Sequence, residues 1–192
     1  MQKSPRLKSA SPAQLAKLAE SPDDDLMTGV AGGSYAAFEA LYMRHKNAVF
    51  RYFIRNVDPE SAADAHQETW TRIVANRRRY QPRGRFRAYL FTVAHNVLID
   101  HLRRPVLETG AEPEAQAVGS PESEVSGIEA GLRLRRLIAR LPAAQREALV
   151  LHKAAGLTIR EIARITGVTE EGTKSRLRYA MNKLKRGMRD HV

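Results

Sequence analysis

The stretch that decides the fold is residues 158–186, which read TIREIARITGVTEEGTKSRLRYAMNKLKR. Its first part places apolar residues at the spacing of one buried helix face, at Ile159, Ile162, Ala163 and Ile165. Gly167 follows and supplies the turn that ends this helix, and a second helix begins near Thr169. Ala163 falls where a small side chain lets two helices cross closely. The pattern therefore predicts two short helices joined by a tight turn.

The second of these helices separates its residues into two faces when they are placed at ~100° per residue. Its apolar face carries Thr173, Leu177, Ala180, Met181, Leu184 and Met188. The opposite face carries Lys174, Ser175, Arg176, Arg178, Tyr179, Asn182, Lys183, Lys185 and Arg186. A DNA-recognition helix needs this division, because one face is fixed to a scaffold while basic and polar groups meet phosphates and base edges. A surface helix with a solvated basic face is the alternative interpretation.

Charge is distributed in blocks along the 192 residues, which carry a formal charge of +11 and a sequence pI near 10.3. Residues 1–34 hold 4 basic and 4 acidic groups, and residues 35–105 hold 13 and 6. Residues 106–131 hold 6 acidic groups and no basic one, and residues 132–192 hold 15 basic and 5 acidic groups. A strongly basic chain favours a polyanionic partner, either nucleic acid or an anionic membrane surface. Two basic blocks separated by an acidic one favour two nucleic-acid-binding units.

Both basic blocks show the helical spacing of apolar residues, and neither shows the alternation typical of strands. Three helices are predicted over residues 35–104, with breaks at Asp58-Pro59 and at a basic loop from Arg77 to Arg87; Pro105 is expected to follow the last turn. The acidic segment is rich in Glu, Ala, Gly, Ser and Pro, so it cannot bury enough apolar surface to offset the entropy of ordering. The sequence therefore predicts an all-α chain of two small helical domains joined by a flexible acidic linker.

Several classes of function are disfavoured by the residues present. The absence of cysteine excludes disulfides, thiolate zinc ligands and a cysteine nucleophile. The histidines lack metal-ligand spacing, Asp23-Asp24-Asp25 is interpreted as a helix start, and no nucleophile–base arrangement is recognisable. No apolar run reaches the ~18 residues of a transmembrane helix, and the N-terminal stretch lacks a signal-peptide core. We expect a cytoplasmic protein without enzymatic activity, cofactor, metal or direct membrane insertion.

Five stretches together resemble one known family. They are FEALYMRHKNAVFRYF (38–53), ADAHQETW (63–70), GRFRAYLFTVAHNVLIDHLRR (84–104), LPAAQREALVLH (141–152) and the helix-turn-helix quoted above. In this order, with an acidic linker between the third and fourth, they are similar to the sigma-2 and sigma-4 domains of extracytoplasmic-function (ECF, group 4) RNA polymerase sigma factors of the sigma-70 family. A helix-turn-helix alone is found in many proteins, whereas the pair of domains is specific.

The resemblance implies four segments. They are an N-terminal extension, partly disordered, at 1–34; a sigma-2-like helical bundle at 35–104; the acidic linker at 105–131; and a sigma-4-like helix-turn-helix domain at 132–192. The protein would direct core RNA polymerase to promoters, with promoter DNA, the β′ clamp and β flap of the polymerase, and an anti-sigma factor as partners. The linker would follow the active-site cleft of the polymerase, where its negative charge mimics that of nucleic acid; a passive spacer is the alternative.

Three sets of residues are expected to make these contacts. The −35 duplex would be read by Arg160, Thr169, Glu170, Lys174, Ser175, Arg176, Arg178 and Tyr179. The −10 element would be melted and read by Arg83, Arg85, Arg87, Tyr89, Asn96, Asp100, Arg103 and Arg104. Asp64, Gln67 and Glu68 would contact the β′ clamp. Arginines interleaved with aromatic residues suit single-stranded DNA, in which bases stack on rings; the alternative is that Phe86, Tyr89 and Phe91 belong to the core.

One departure from the family pattern concerns the start of the recognition helix. Members usually have Gly-Thr-Val before the basic residue, whereas this chain has Glu171-Gly172-Thr173 before Lys174. Gly172 is expected to cost the helix ~0.5–1 kcal/mol relative to alanine, and Thr173 to weaken the apolar plug. The rival functions are a one-component helix-turn-helix regulator, which would bind promoter DNA without polymerase, and a nucleic-acid enzyme, for which no clustered carboxylates or metal site are found.

Overall fold

The computed structural model describes Leu18, residues 20–109 and residues 125–189, with the side chains of all of these except residues 104–109 and 125–128. The helices have the following bounds: α1 Asp23–Ala31, α2 Tyr35–Ile54, α3 Pro59–Ala75, α4 Phe86–Thr109, α5 Val125–Ala139, α6 Ala143–Lys153, α7 Ile159–Thr166 and α8 Glu170–Arg189. A single turn of 3₁₀-helix, Arg77–Arg79, follows α3. No strand occurs among the described residues, and the predicted all-α class is confirmed.

Helices α1 to α4 pack into one bundle. The predicted break at Asp58-Pro59 is a capped helix start, since the Asp58 carboxylate accepts from the Ser61 N–H and Pro59 is the first helical residue. Helix α2 also has a capped start, in which Ser34 Oγ accepts from the Ala37 N–H. The buried core of the bundle contains large side chains, among them Leu41, Tyr52, Phe53, Trp70, Ile73, Phe86, Leu90 and Phe91. The bundle presents the outer faces of α3 and α4, together with the loop between them, to solvent.

The bundle begins earlier than the sequence indicated. Residues 1–34 were expected to be an extension, but α1 buries Leu26, Met27 and Val30 against α2. Gly29 lies so close to α2 that an added Cβ would stand 2.9 Å from the Cβ of Ala37. Residues of the expected extension thus pack on the bundle, and Leu18 also contacts its core. Three apolar residues in a helix of 9 residues give too little periodicity to mark a packed element.

Helices α5 to α8 form the second group, which contains the helix-turn-helix. A capping box starts α7, in which Thr158 Oγ1 accepts from the Glu161 N–H and the Glu161 carboxylate accepts from the Thr158 N–H. Gly167 ends α7 at φ +68°, in the left-handed region where glycine carries no steric penalty. The sequence pattern of residues 158–186 therefore predicted the local structure correctly.

The predicted linker is shortened at both ends. Helix α4 continues through Pro105 to Thr109, and α5 begins at Val125, so that residues 105–109 and 125–131 are helical. A proline removes one backbone hydrogen bond from a helix and bends it without always ending it. Alanine and glutamate, frequent in the acidic segment, are good helix formers, and glutamate is favoured near a helix N-terminus. The prediction of flexibility for residues 110–124 falls outside the described residues.

The two groups of helices touch each other. Tyr52 Oη of α2 donates to Glu147 Oε1 of α6 at 2.6 Å, and His95 Nδ1 of α4 lies 2.7 Å from the same oxygen. Buried apolar residues of α6 and α7, including Leu151 and Ile162, belong to the same continuous cluster as the core of the bundle. The two helical units are thus packed directly on one another in this structure.

Candidate nucleic-acid interface

Helix α8 is seated through its apolar face and exposes its basic face. Thr173, Leu177, Ala180 and Leu184 are buried, as the helical pattern predicts. Lys174, Arg178 and Tyr179 are exposed on the other side, and the Tyr179 ring is 53% accessible. The guanidinium of Arg178 lies 5.4 Å from the centre of the Tyr179 ring, which stacks the two side chains beside each other. We call these three residues the recognition face.

Two further residues expected at the −35 element are only partly accessible. Ser175 and Arg176 are half-buried, and Arg176 lies towards the contact between the two helical groups. Burial would raise the pKa of Glu147, but hydrogen bonds from His95 and Tyr52 and the positive charge of Arg176 hold the pKa of that carboxyl below its usual value. The half-buried Arg176 thus has less surface available to a ligand than Lys174 or Arg178.

The remaining −35 candidates gather at the start of α8. Thr169 Oγ1 accepts from the Gly172 N–H at 3.0 Å and so caps the helix. Arg160 and Glu170, both exposed, form a loose ion pair at 3.8 Å. Such a pair on the surface contributes little to stability, so both side chains are available to a ligand.

The unusual Gly172-Thr173 pair is accommodated in the turn. Thr173 is fully buried in place of the usual valine, and its Oγ1 donates to the carbonyl oxygen of Thr169 at 3.1 Å. A Cβ at Gly172 would lie 3.2 Å from Thr169 Oγ1, against the capping hydroxyl. The hydroxyl of Thr173 is satisfied, so the departure from the family pattern leaves the helix-turn-helix intact.

The −10 candidates lie along the loop before α4 and the outer face of that helix, which we call the loop–helix surface (residues 83–103). Arg83, Arg85, Asn96 and Arg103 are exposed. The side chain of Arg104 lies outside the described residues. Phe86, which the sequence placed among the rings available to DNA bases, is instead 1% accessible, because it packs between His45, Tyr80 and Tyr89. Phe91 is also buried, so the alternative that these rings belong to the core holds for Phe86 and Phe91.

Three other −10 candidates are engaged within the protein. Tyr89 is half-buried, and burial raises the pKa of its hydroxyl. Arg87 is exposed, and its Nη1 lies 3.0 Å from where a Cβ on Gly156 would stand, so it reaches the loop that precedes α7. Asp100 accepts from Arg72 Nη2 at 2.8 Å. These side chains face neighbouring elements as well as solvent.

Arg72 joins two of the predicted sets. Its guanidinium donates both to Asp100 and to Glu68, the latter at 2.6 Å, and His101 Nε2 lies 3.0 Å from the other oxygen of Glu68. Desolvation opposes ionisation of Glu68, but the hydrogen bonds with His101 and Arg72 lower the pKa of this carboxyl. Glu68, which is expected to contact polymerase, and Asp100, which is expected to read DNA, are thus both bonded to Arg72.

Beside Asp64 and Gln67, both exposed, lies an aromatic groove that the sequence did not single out. It measures about 740 Å³ and runs between α2 and α3. Its walls include Phe38, Tyr42, Phe50, His66, Gln67 and Trp70. The rings of Tyr42 and Trp70 meet edge to face at 5.1 Å between centroids. Aromatic residues four apart, such as Phe38 and Tyr42, were the available signal.

Metal sites and membrane-spanning helices are two other possibilities for the described residues. Within residues 20–109 and 125–189, no three His, Asp or Glu side chains stand together as a metal site would need. None of the helices in the same part of the chain is long and apolar enough to cross a membrane. The candidate interface is therefore defined by basic, polar and aromatic side chains on helices.

The chain matches two family models. Sigma-70 region 2 matches residues 41–105, and sigma-70 region 4 matches residues 131–184. The ECF RNA polymerase sigma factor SigC of Mycobacterium tuberculosis is 31% identical over 174 residues, covering 86% of this chain and 93% of that protein. The ECF RNA polymerase sigma factor BldN of Streptomyces coelicolor is 30% identical over 173 residues, covering 86% and 66%.

A solved structure shares the fold. The sigma factor RpoE of Bartonella quintana, solved in complex with the anti-sigma factor NepR, superposes with a TM-score of 0.67. It is 22% identical, and the match covers 81% of this chain and 98% of that chain. The two matched regions follow the order of the two helical groups described above, and each lies within one group.

Proposed function

The chain belongs to the ECF RNA polymerase sigma factors of the sigma-70 family and directs RNA polymerase to promoters, and from this premise we propose how its residues divide that task. Sigma-70 factors are non-enzymatic transcription initiation factors, and no match supports a one-component regulator. In the proposal, the recognition face reads the −35 duplex, the loop–helix surface reads the −10 element, and the protein acts in the bacterial cytoplasm.

The observation that carries the proposal is the division of α8. Its buried residues fix the helix to α6 and α7, while Lys174, Arg178 and Tyr179 project into solvent. A helix seated in this way enters a major groove with its exposed side chains towards base edges and phosphates. Arg160 then lies beside the sugar-phosphate backbone, and the Glu170 carboxylate can accept a hydrogen bond from a base amino group. Arg176, which is half-buried on the same helix, is proposed to contribute at the edge of this surface.

The −10 proposal rests on the exposed members of the loop–helix surface. Asn96 can pair with a base edge through its amide, and Arg83, Arg85 and Arg103 can hold either a phosphate or a guanine edge of the displaced strand. Arg87, Tyr89 and Asp100 belong to the same surface but have partners inside the protein. In the proposal, Arg87 becomes available once the second helical group has moved away, whereas Tyr89 and Asp100 act from the positions that their partners in the bundle give them. Arg104 is included among the −10 residues because the sequence predicts it there.

Two grooves are proposed as polymerase contacts. The aromatic groove with Asp64 and Gln67 at its edge is assigned to the β′ clamp, with Glu68 orienting Arg72 nearby. A second groove of about 750 Å³, lined by apolar residues such as Leu134, Met181 and Met188, is assigned to the β flap. Because RpoE has been solved with an anti-sigma factor, we further propose that this chain is controlled by one.

The contact between the two helical groups bears on the free protein. Promoter elements about two helical turns apart, at ~34–36 Å per turn, cannot both be reached while α2 and α4 touch α6 through Glu147. We therefore expect the free protein to bind duplex promoter DNA poorly and to gain specificity with core polymerase, which holds the groups apart. The acidic segment between them is proposed to follow the active-site cleft of the polymerase.

The test is run-off transcription with purified bacterial core polymerase and a library of genomic promoter fragments. Addition of the full-length protein is expected to start transcripts at a defined subset of fragments, and core polymerase alone is the control. The same fragments incubated with the protein without polymerase should show no sequence-specific footprint. A tight footprint by the protein alone, without promoted transcription, would support the one-component regulator instead.

A further inference from the structure

Helix α1 carries a carboxylate that holds the loop of the loop–helix surface. Asp24 Oδ1 accepts a hydrogen bond from Tyr80 Oη at 2.6 Å, and Asp24 Oδ2 accepts another from the backbone N–H of Gly84. Tyr80 follows the 3₁₀ turn and Gly84 stands two residues before α4. One side chain, 56 residues away in sequence from Tyr80, therefore joins the two ends of the segment 80–84.

The loop has few other means of fixing its shape. Gln81, Pro82, Arg83 and Arg85 are exposed, and the segment belongs to no regular element. Gly84 has φ +66°, the left-handed region, although an added Cβ would meet nothing within 4 Å. The glycine is thus required by the backbone conformation and not by close packing. That conformation directs the Gly84 N–H to Asp24.

The element that carries Asp24 is itself firmly held. The neighbouring Asp23 carboxylate accepts from Arg44 Nη1 at 2.5 Å and lies 2.8 Å from His45 Nε2, both on α2. Leu26 and Met27 of the same helix are buried in the bundle. On the loop side, the Tyr80 ring packs against Tyr89 at 5.0 Å between centroids. Asp24 therefore links the loop to a rigid support, which is what a preorganised binding surface requires.

We propose that Asp24 is a positioning residue for reading of the −10 element: by holding Tyr80 and Gly84 it keeps Arg83 and Arg85 in the arrangement that binds the displaced strand. The inference rests on the proposed function of the loop–helix surface. Asp24 acts through the loop and does not itself touch DNA. When a loop leaves its binding arrangement, the apparent dissociation constant rises in inverse proportion to the fraction of molecules still competent.

The experiment compares Asp24→Ala with Asp25→Ala in the full-length protein assembled with core polymerase. Asp25 is exposed, lies in the same first turn of α1, and makes neither of the loop contacts, so it controls for charge and for helix-terminal effects. Binding is measured to a labelled single-stranded oligonucleotide that carries the −10 sequence of a promoter selected by the wild type. Oligonucleotides with single-base changes in that sequence, and a duplex carrying only the −35 element, are measured in parallel.

Asp24→Ala is expected to weaken binding of the matched −10 strand about tenfold, equivalent to about 1.4 kcal/mol, and to reduce its preference over the single-base variants. Tyr80→Phe, which removes one of the two contacts, should give a smaller effect in the same direction. Binding of the −35 duplex and all measurements on Asp25→Ala should match the wild type. This loss of base preference is a readout that general destabilisation would not produce.

Two results would overturn the inference. Equal behaviour of Asp24→Ala and Asp25→Ala would remove the positioning role, as would a uniform loss of binding to every oligonucleotide and to the −35 duplex. The double variant Arg83→Ala, Arg85→Ala separates this failure from that of the underlying proposal. If the double variant binds the −10 strand normally, the loop does not read DNA; if it binds weakly while Asp24→Ala is unaffected, only the role of Asp24 is wrong.

Discussion

The recognition face and the loop–helix surface are built in different ways. Lys174, Arg178 and Tyr179 stand on one helix, and the helical repeat alone sets them opposite the buried face. The loop–helix surface depends on distant partners, because Asp24 holds its loop and Arg72 holds Asp100. A rigid helix suits the reading of an intact duplex, whereas a loop held by polar contacts can adjust to a strand that must first be separated. The expected consequences of disturbing each surface follow from this difference.

The largest effect on stability is expected for a substitution in the buried core of the helix-turn-helix. Ile162 of α7 is fully buried, and Ile162→Ala should reduce the free energy of unfolding by about 2–5 kcal/mol because it leaves a cavity in the core cluster that also contains Leu177 of α8. Denaturant unfolding followed by circular dichroism measures this change. Ile162→Val, which removes a single methylene group, should cost only about 0.5–1.5 kcal/mol. A loss below 1 kcal/mol for the alanine variant would mean that polar contacts, and not apolar packing, hold the helix.

Arg178→Ala tests the recognition face itself. Removal of a base contact is expected to weaken binding of the −35 duplex by the polymerase-bound protein by about 1–3 kcal/mol, without a change in stability, because the side chain is exposed. Arg176→Ala is the informative partner, since Arg176 also lies close to Glu147. It should weaken −35 binding and also lower the melting temperature. Equal melting temperatures for the two variants would show that Arg176 has no intramolecular role.

The contact between the helical groups should respond to acid. The folded-state pKa of Glu147 is lowered, so its ionised form stabilises the folded protein above the unfolded pKa near 4.5, and this contribution is lost as the pH falls through the lower folded value. The groups that face this carboxylate are Tyr52, His95 and Arg176. Glu147→Gln should therefore reduce the difference in unfolding free energy between pH 7 and pH 4. An unchanged difference would assign the acid sensitivity to other carboxylates, such as Asp23 and Glu68.

The smallest effect is expected for the arginine between α3 and α4. The Arg72 side chain is 35% accessible, and Arg72→Ala should cost at most about 1 kcal/mol of stability, because partly exposed ion pairs are weak. Thermal unfolding of the variant beside the wild type measures this loss. A loss of several kcal/mol would show that α3 and the loop–helix surface form one cooperative unit through Arg72. Glu68→Gln, which keeps the shape of its side chain, is the matched comparison.

The two surfaces also differ in how far the sequence predicts them. Helical spacing placed Lys174, Arg178 and Leu177 on their observed faces, because those positions depend on residues three and four apart. The interleaving of Phe86 with arginines suggested stacking on DNA bases, whereas its partners His45 and Tyr80, which come from other elements, place it in the core. Helical spacing also missed α1 as part of the bundle and the aromatic groove. The division into −10 and −35 roles came from the resemblance to a family, since spacing alone predicts only helices and a helix-turn-helix.

The most direct test of the division of labour is transcription from a promoter library in which the −35 and −10 windows are randomised separately. Arg178→Ala and Asn96→Ala holoenzymes are compared with the wild type by sequencing the transcribed promoters. We expect Arg178→Ala to change the preferred bases only in the upstream window and Asn96→Ala only in the downstream window. A change in both windows from either variant, or unchanged preferences from both, would contradict the assignment of the two surfaces.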